Sequence, residues 1–211
     1  MKHRVLSILV LLLTTIATSA QKMATPQQQE KIIAEINTQA QKITSLKCDF
    51  VQTKILSIMD EQMTSKGQMV FARPNKLRWQ YTSPYDYTFI ITADKVYIGK
   101  GKNKNSIDLK NNTVFQEIAR MIAGSVTGRC LTEKNDFDVQ MQITDEAYIA
   151  LLKPRKNQMR KMFSSIKLTF SKKERIATQV EMIDTNGDNT IILMHNVVQN
   201  EHVDNKVFVL D

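Results

Sequence analysis

The chain has 211 residues, 42% hydrophobic and 24% charged, with 29 Lys and Arg against 21 Asp and Glu. That length supports one domain with a sizeable core, and the net charge of +8 leaves nucleic acid, anionic lipid or no specific partner open. Three histidines and two cysteines, at spacings that match no metal motif, argue against a metal centre and leave little to build catalysis from.

Lys2 and Arg4 precede an apolar run from Val5 to Ile16, which gives way to Thr18-Ser19-Ala20. A basic start, an apolar middle and a small-residue end make the pattern of a secretory signal peptide, 1–20, cut before Gln21. The apolar run is about 12 residues, short of the roughly 20 that span a bilayer. No Cys follows it at a lipidation position, so residues 21–211 are expected to be one exported, soluble domain that is not itself lipidated. Export removes nucleic acid from the candidate partners. Without residues 1–20, which hold two of the basic residues and none of the acids, the charge is +6.

Thr25-Pro26 with Gln28 supplies an N-cap, a Pro at the first helical position and a capping box. Ile32, Ile33, Ile36, Ala40 and Ile43 then recur at helical spacing. Leu46 to Thr53 reads as the first strand, and 55–64 as a less regular one with a turn at Asp60-Glu61. Strands over 66–72 and 76–82 flank a turn at Arg73-Pro74-Asn75. Met69, Phe71 and Arg73 share one parity, as do Leu77, Trp79 and Tyr81. Two adjacent strands therefore offer a broad, aromatic-bearing apolar surface with a single guanidinium at its end. Strands follow at 86–92 and 95–99.

After Asn111-Asn112-Thr113, the residues Val114, Phe115, Ile118, Ala119, Met121 and Ile122 form a second helical stripe that stops at Gly124. Further strands are expected at 136–143, 147–153, 164–171 and 175–184, then a closing hairpin of 189–199 and 204–210. Asn186-Gly187 marks a hairpin turn. The basic run from Lys153 to Lys161 lacks interleaved aromatics and reads as a solvated hairpin loop, with a contact for an anionic partner as the alternative. Cys48 and Cys130 sit in apolar segments, which leaves both a disulfide and two buried thiols open. Residues 184–188 resemble a calcium loop only superficially, because His195 stands where the bidentate Glu belongs. With no Gly-x-Ser-x-Gly, phosphate loop or Cys-His-acid order, the reading is a binding protein, not an enzyme.

The pattern as a whole gives an α+β fold, mainly antiparallel β: one sheet of nine to eleven strands, strongly curled at that size, with two or three helices. A curled sheet leaves a concave face to cover. Amphipathic helices serve there equally as a lid over a cavity or as core that fills the hollow.

Gly67, then Phe71-Ala72-Arg73-Pro74-Asn75-Lys76-Leu77-Arg78-Trp79, Tyr81 and Pro84, resemble the signature of the LolA family, the periplasmic carriers of outer-membrane lipoproteins. Phe50-Val51-Gln52 is similar to the family's Phe-x-Gln, and Asp184-x-x-Gly187 with Asn200 and Phe208 resembles its closing strands. Ala93-Asp94-Lys95 replaces the family's Asp-Gly turn, and Tyr97 stands for its usual Trp. The resemblance implies an incomplete, half-open β-barrel of about eleven strands with an α-helical lid over a hydrophobic cavity. It implies that Ile32, Ile36, Met69, Phe71, Leu77, Trp79, Phe89, Ile118 and Ile122 line that cavity for acyl chains, although each would also serve as ordinary core. Arg73 takes the position of the family's lid latch, which reaches helix backbone groups. The implied partners are triacylated lipoproteins, an inner-membrane ABC-type lipoprotein-release complex and an outer-membrane acceptor. The protein would act as a periplasmic chaperone, a monomer without metal or cofactor. A lipid- or lipoprotein-binding sensor or lipid-transfer protein of the same shape is the alternative.

Overall fold

The computed structural model describes residues 21–59, 61–93, 95–100, 103–108, 124, 129–132 and 135–210. The signal peptide and the helical stripe bearing Ile118 and Ile122 lie outside the described residues. Twelve strands form one antiparallel sheet. In chain order they are β1 (Lys22–Met23), β2 (Ser45–Leu56), β3 (Glu61–Ala72), β4 (Lys76–Ser83), β5 (Tyr87–Ile91), β6 (Lys95–Lys100) and β7 (Asn103–Asp108), then β8 (Phe137–Ile143), β9 (Ala147–Pro154), β10 (Phe163–Ser171), β11 (Ala177–Asp184) and β12 (Asn189–Gln199). Their spatial order is β1-β8-β9-β10-β11-β12-β2-β3-β4-β5-β6-β7. Two runs of hairpins meet where β12 pairs with β2, and the sheet does not close on itself.

Residues directly opposite in an antiparallel pair point to the same face, so the register fixes the apolar surface. Cys48, Met69, Trp79 and Phe89 make one row across β2 to β5. Met141, Ala150, Leu168, Val180 and Ile192 make another across β8 to β12. Helix α1 (Pro26–Lys42) covers this concave face with Ile32, Ile36 and Ala40. Its start is fixed by the capping box. Thr25 Oγ1 accepts from the Gln28 amide at 3.3 Å, and the Thr25 amide donates to Gln28 Oε1 at 2.9 Å.

Four sequence expectations need correction. The described residues hold twelve strands, more than expected, because β1 is only two residues and β7 is polar, so neither carries an alternating signal. The β2–β3 hairpin is longer than expected, with its turn between Leu56 and Glu61. The basic loop is not wholly solvated, since Asn157–Arg160 forms one helical turn with Met159 buried. Residues 204–210 are no strand. Asp204 caps a 3-10 turn, Asn205–Phe208, by accepting from the Lys206 amide at 2.9 Å. That segment lies against β4, where Arg78 Nη1 donates to the Val207 carbonyl at 3.1 Å and Lys76 Nζ to Asn205 Oδ1 at 2.6 Å. Cys48 and Cys130 are not joined to each other: each is a buried thiol, and they lie in different apolar clusters.

Candidate functional site

The concave face is built from two apolar clusters. The first joins Ile32 and Ile36 of α1 to Met141, Leu152, Leu168 and Phe170. The second gathers Phe50, Met69, Phe71, Leu77, Trp79 and Ile192, with Phe89 packed at its margin. Val180, Met182 and Met194 touch both and make the surface continuous. The structure thus brings Met69, Phe71, Leu77, Trp79 and Phe89 together and places Ile32 and Ile36 in the adjoining cluster. Ile118 and Ile122 are not among the described residues.

An aromatic ladder runs along this face. Phe50 stacks on Trp79 with ring centroids 4.1 Å apart, and Tyr81 stacks on Tyr87 at 4.6 Å. Phe89 meets Tyr87 edge-on at 5.2 Å, and Phe50 meets Tyr81 edge-on at 5.3 Å. The Phe50 ring lies over Gly67, where any Cβ would strike both that ring and the Gln80 carbonyl oxygen. Tyr81 Oη donates to Gln52 Oε1 at 2.8 Å, and burial pushes its phenol up to about 12. The Tyr81 phenol is therefore neutral across the physiological range. Tyr81 joins Leu77 and Trp79 on this face as its parity implied, whereas Phe50 and Tyr87 are residues of the face that sequence reasoning missed. The signal was available in the Phe50-Val51-Gln52 alternation, but only the strand register aligns it with Trp79.

Arg73 sits at the opposite end of β3 from the β2–β3 turn. Its Nε donates to the Ile43 carbonyl at 2.6 Å and its Nη2 to the Ala40 carbonyl at 2.8 Å. Ala40 lies in the last turn of α1 and Ile43 is its C-cap; the Ala40 carbonyl also accepts the Ile43 amide at 3.2 Å, so Arg73 adds a second donor there. A cation there also meets the negative end of the helix dipole. The Arg73 amide adds a bond to the Thr44 carbonyl at 2.9 Å, and the Thr44 amide donates to Asn200 Oδ1 at 2.8 Å.

Two further ties to α1 were not read from the sequence. Arg175 Nε contacts Glu35 Oε2 at 2.9 Å while its guanidinium lies 5.2 Å over the Tyr148 ring. Gln29 inserts its amide beside β8, donating to the Val139 carbonyl and accepting from the Met141 amide, both at 3.1 Å. Nothing in the sequence marks Glu35 or Gln29 as different from the other polar residues on α1's outer side. The helix is thus held by a handful of polar contacts around an apolar seat.

A family model of the outer membrane lipoprotein carrier protein LolA matches residues 41–211. The chain belongs to the LolA family. The outer-membrane lipoprotein carrier protein of Chromobacterium violaceum is 23% identical to it over 189 residues, covering 88% of this chain and 85% of that protein. Its counterpart in Nitrosospira multiformis is 24% identical over 167 residues, 78% of this chain and 76% of that one. Among solved structures, an uncharacterized conserved protein from Thermus thermophilus superposes with a TM-score of 0.52 at 8% identity, over 84% of this chain and 93% of that one. That likeness is one of fold. For a LolA-family protein, an apolar concave face under one polar-tethered helix is a surface suited to lipid-bearing ligands, and lipoprotein binding follows at the level of the family.

Proposed function

We propose that this protein is a periplasmic carrier that ferries triacylated lipoproteins from the inner membrane to the outer membrane. On this reading residues 1–20 direct export and are removed, and the single domain 21–211 works as a monomer. It receives its cargo from an ABC-type release complex in the inner membrane and gives it to an acceptor at the outer membrane.

The physical requirement is large. At about 0.8 kcal/mol per CH₂, three chains of about 16 carbons would cost on the order of 35 kcal/mol to expose to water. A carrier must cover them and still let go. The observation that carries the reading is the construction of α1: Ile32 and Ile36 rest on the concave face, and the helix end is held by Arg73. When the helix lifts to admit acyl chains, cargo covers again the apolar surface that the helix leaves. The lost interactions are then mainly polar ones, such as the bonds from Arg73, worth about 1.5–3 kcal/mol each for a charged donor. Loading and release are balanced around that modest difference.

The test is native mass spectrometry of the protein purified from its own periplasm, with and without depletion of the inner-membrane lipoprotein-release complex. Lipoprotein bound in normal cells and lost on depletion is the expected result. Free lipid in both preparations, with no lipoprotein in either, would replace the carrier by a lipid sensor or lipid-transfer protein.

A further inference from the structure

The end of the sheet away from Arg73 carries a feature that binding to the concave face does not use. The β2–β3 hairpin projects beyond the core: Glu61, Gln62, Met63 and Thr64 are all exposed, so both faces of the strand are wet. Its tip is nonetheless apolar. Ile58 is 90% exposed, Met59 59% and Met63 49%. Apolar side chains exposed together at one apex, unlike ones scattered singly, are the kind of patch that marks a protein or membrane contact. Here it is braced. The Ser57 amide donates to Asp188 Oδ1 at 3.0 Å, Ser57 Oγ donates to the Asn186 carbonyl at 3.0 Å, and Lys54 pairs with Asp188 at 3.6 Å. The neighbouring β11–β12 turn is the prop.

That turn also reaches the basic loop, through Thr185 Oγ1 to the Lys161 carbonyl at 3.3 Å. Antiparallel order puts the β2–β3, β11–β12 and β9–β10 connections at one end of the sheet. So Arg155, Lys156, Arg160 and Lys161 flank the apolar tip. Among the described residues at this end, three acids are paired: Asp138 with Arg155 at 3.1 Å, Asp136 with Lys156 at 2.8 Å and Asp188 with Lys54 at 3.6 Å. Among the described residues Glu61 is an exposed acid at the shoulder of the tip, next to Asp60 in the sequence, while Arg160 and Lys161 are exposed cations of the loop. Apolar side chains at a braced apex beside exposed cations match the layered chemistry of an anionic bilayer surface, hydrocarbon below and phosphate above.

We propose that the protein seats this end, with Ile58 and Met59 inserted and the 155–161 loop on the headgroups, on membranes that contain anionic phospholipid. The partner is the lipid surface itself. The aromatic ladder from Trp79 through Tyr81 to Tyr87 runs toward this same end, so the seating would bring one end of the concave face to the bilayer. The proposal stands on exposure and charge alone and does not depend on the carrier reading.

The test is flotation of the exported protein with vesicles of phosphatidylcholine, and of phosphatidylcholine mixed with phosphatidylglycerol. Binding to the anionic vesicles, weakened by salt, is expected. Arg160→Glu with Lys161→Glu should lower the partition constant by about fivefold or more per cation. Ile58→Asp with Met59→Asp should lower it by about tenfold or more per side chain. Both pairs are exposed, and unchanged thermal melting checks that the variants fold. In addition, Ile58→Trp should shift its emission to the blue when anionic vesicles are added. Absence of flotation at low salt, flotation that neither pair of variants changes, or retention only by a membrane protein in detergent would overturn the proposal. Lipoprotein loading is read separately in the same preparations, so a loaded protein that does not float refutes the membrane seat alone.

Discussion

One guanidinium closes the last turn of α1, and its geometry makes a sharp prediction. Arg73→Leu leaves the Ala40 and Ile43 carbonyls without their side-chain donor, and Arg73→Lys cannot serve both because an ammonium lacks the planar fork. In each variant amide exchange at Ile43 and Arg73 should rise about tenfold or more by mass spectrometry, as expected from the loss of one or two charge-assisted bonds. If the latch works as proposed, Arg73→Leu also loads lipoprotein but fails to release it, and normal release would remove Arg73 from the mechanism. Gly67 is the second residue on which the site depends. A methyl group there meets the Gln80 carbonyl and the Phe50 ring, so Gly67→Ala should cost about 1–3 kcal/mol in urea unfolding through forced displacement of strand and ring. Wild-type stability in that variant would mean that β3 and β4 can part without loss. Arg73 was legible because its parity aligned it with Met69 and Phe71, whereas the carbonyls it meets were not, since backbone atoms leave no trace in a sequence. Gly67 was legible as part of a motif but not as the floor beneath Phe50, which is a consequence of register.

At the scale of elements, helix α1 was read nearly residue for residue, because a capping box and a 3.6-residue apolar period both pointed to it. The closing segment was misread for an equally physical reason: Val207 and Val209 alternate like a strand, but Asp204 supplies a helical cap and Asn200 turns the chain with φ at 62°. Local capping overrode a short period-two pattern. The ties that seat α1 were hidden because they join distant segments. Glu35 and Arg175 are both about one-third exposed, so their pair should contribute only about 0.2–1 kcal/mol in a double-mutant cycle of Glu35→Gln and Arg175→Gln. The coupling should shrink in high salt. A coupling that salt leaves intact would assign the contact to Arg175 stacking on Tyr148. Small ties of this size suit a helix that must leave its seat, while the apolar contacts beneath it set where it returns.

The whole molecule is two hairpin runs joined along β12 and β2; two carboxylates, Asp49 and Asp188, staple that seam, and a third, Glu181, ties β10 to β12 beside it. Asp49 accepts from Asn196 at 2.9 Å and Gln68 at 3.0 Å, linking β12, β2 and β3, and these bonds hold its carboxyl below the usual range. Asp188 is lowered by the Ser57 amide first, with the Ser57 hydroxyl and Lys54 adding to it. At Glu181 burial works upward, but the hydrogen bonds from Lys167 and Asn189 and the Lys167 charge outweigh it and the carboxyl titrates low. Each group therefore binds its proton more weakly folded than unfolded. The stability they supply is complete above the ordinary carboxylate range and is lost as the pH falls through their folded values. Unfolding free energy should be nearly flat above about pH 5 and fall steeply below about pH 4. Asp49→Asn, Glu181→Gln and Asp188→Asn combined should flatten that acid limb while lowering stability at neutral pH, as denaturant titrations across pH would read. An acid limb unchanged in the triple variant would move the sensitivity to other carboxylates. Because these staples lie where the two apolar clusters meet, their protonation should loosen the concave face before the outer hairpins. Trp79, in the β4 row beside that meeting line, should then report the change in its fluorescence ahead of the loss of strand signal in circular dichroism.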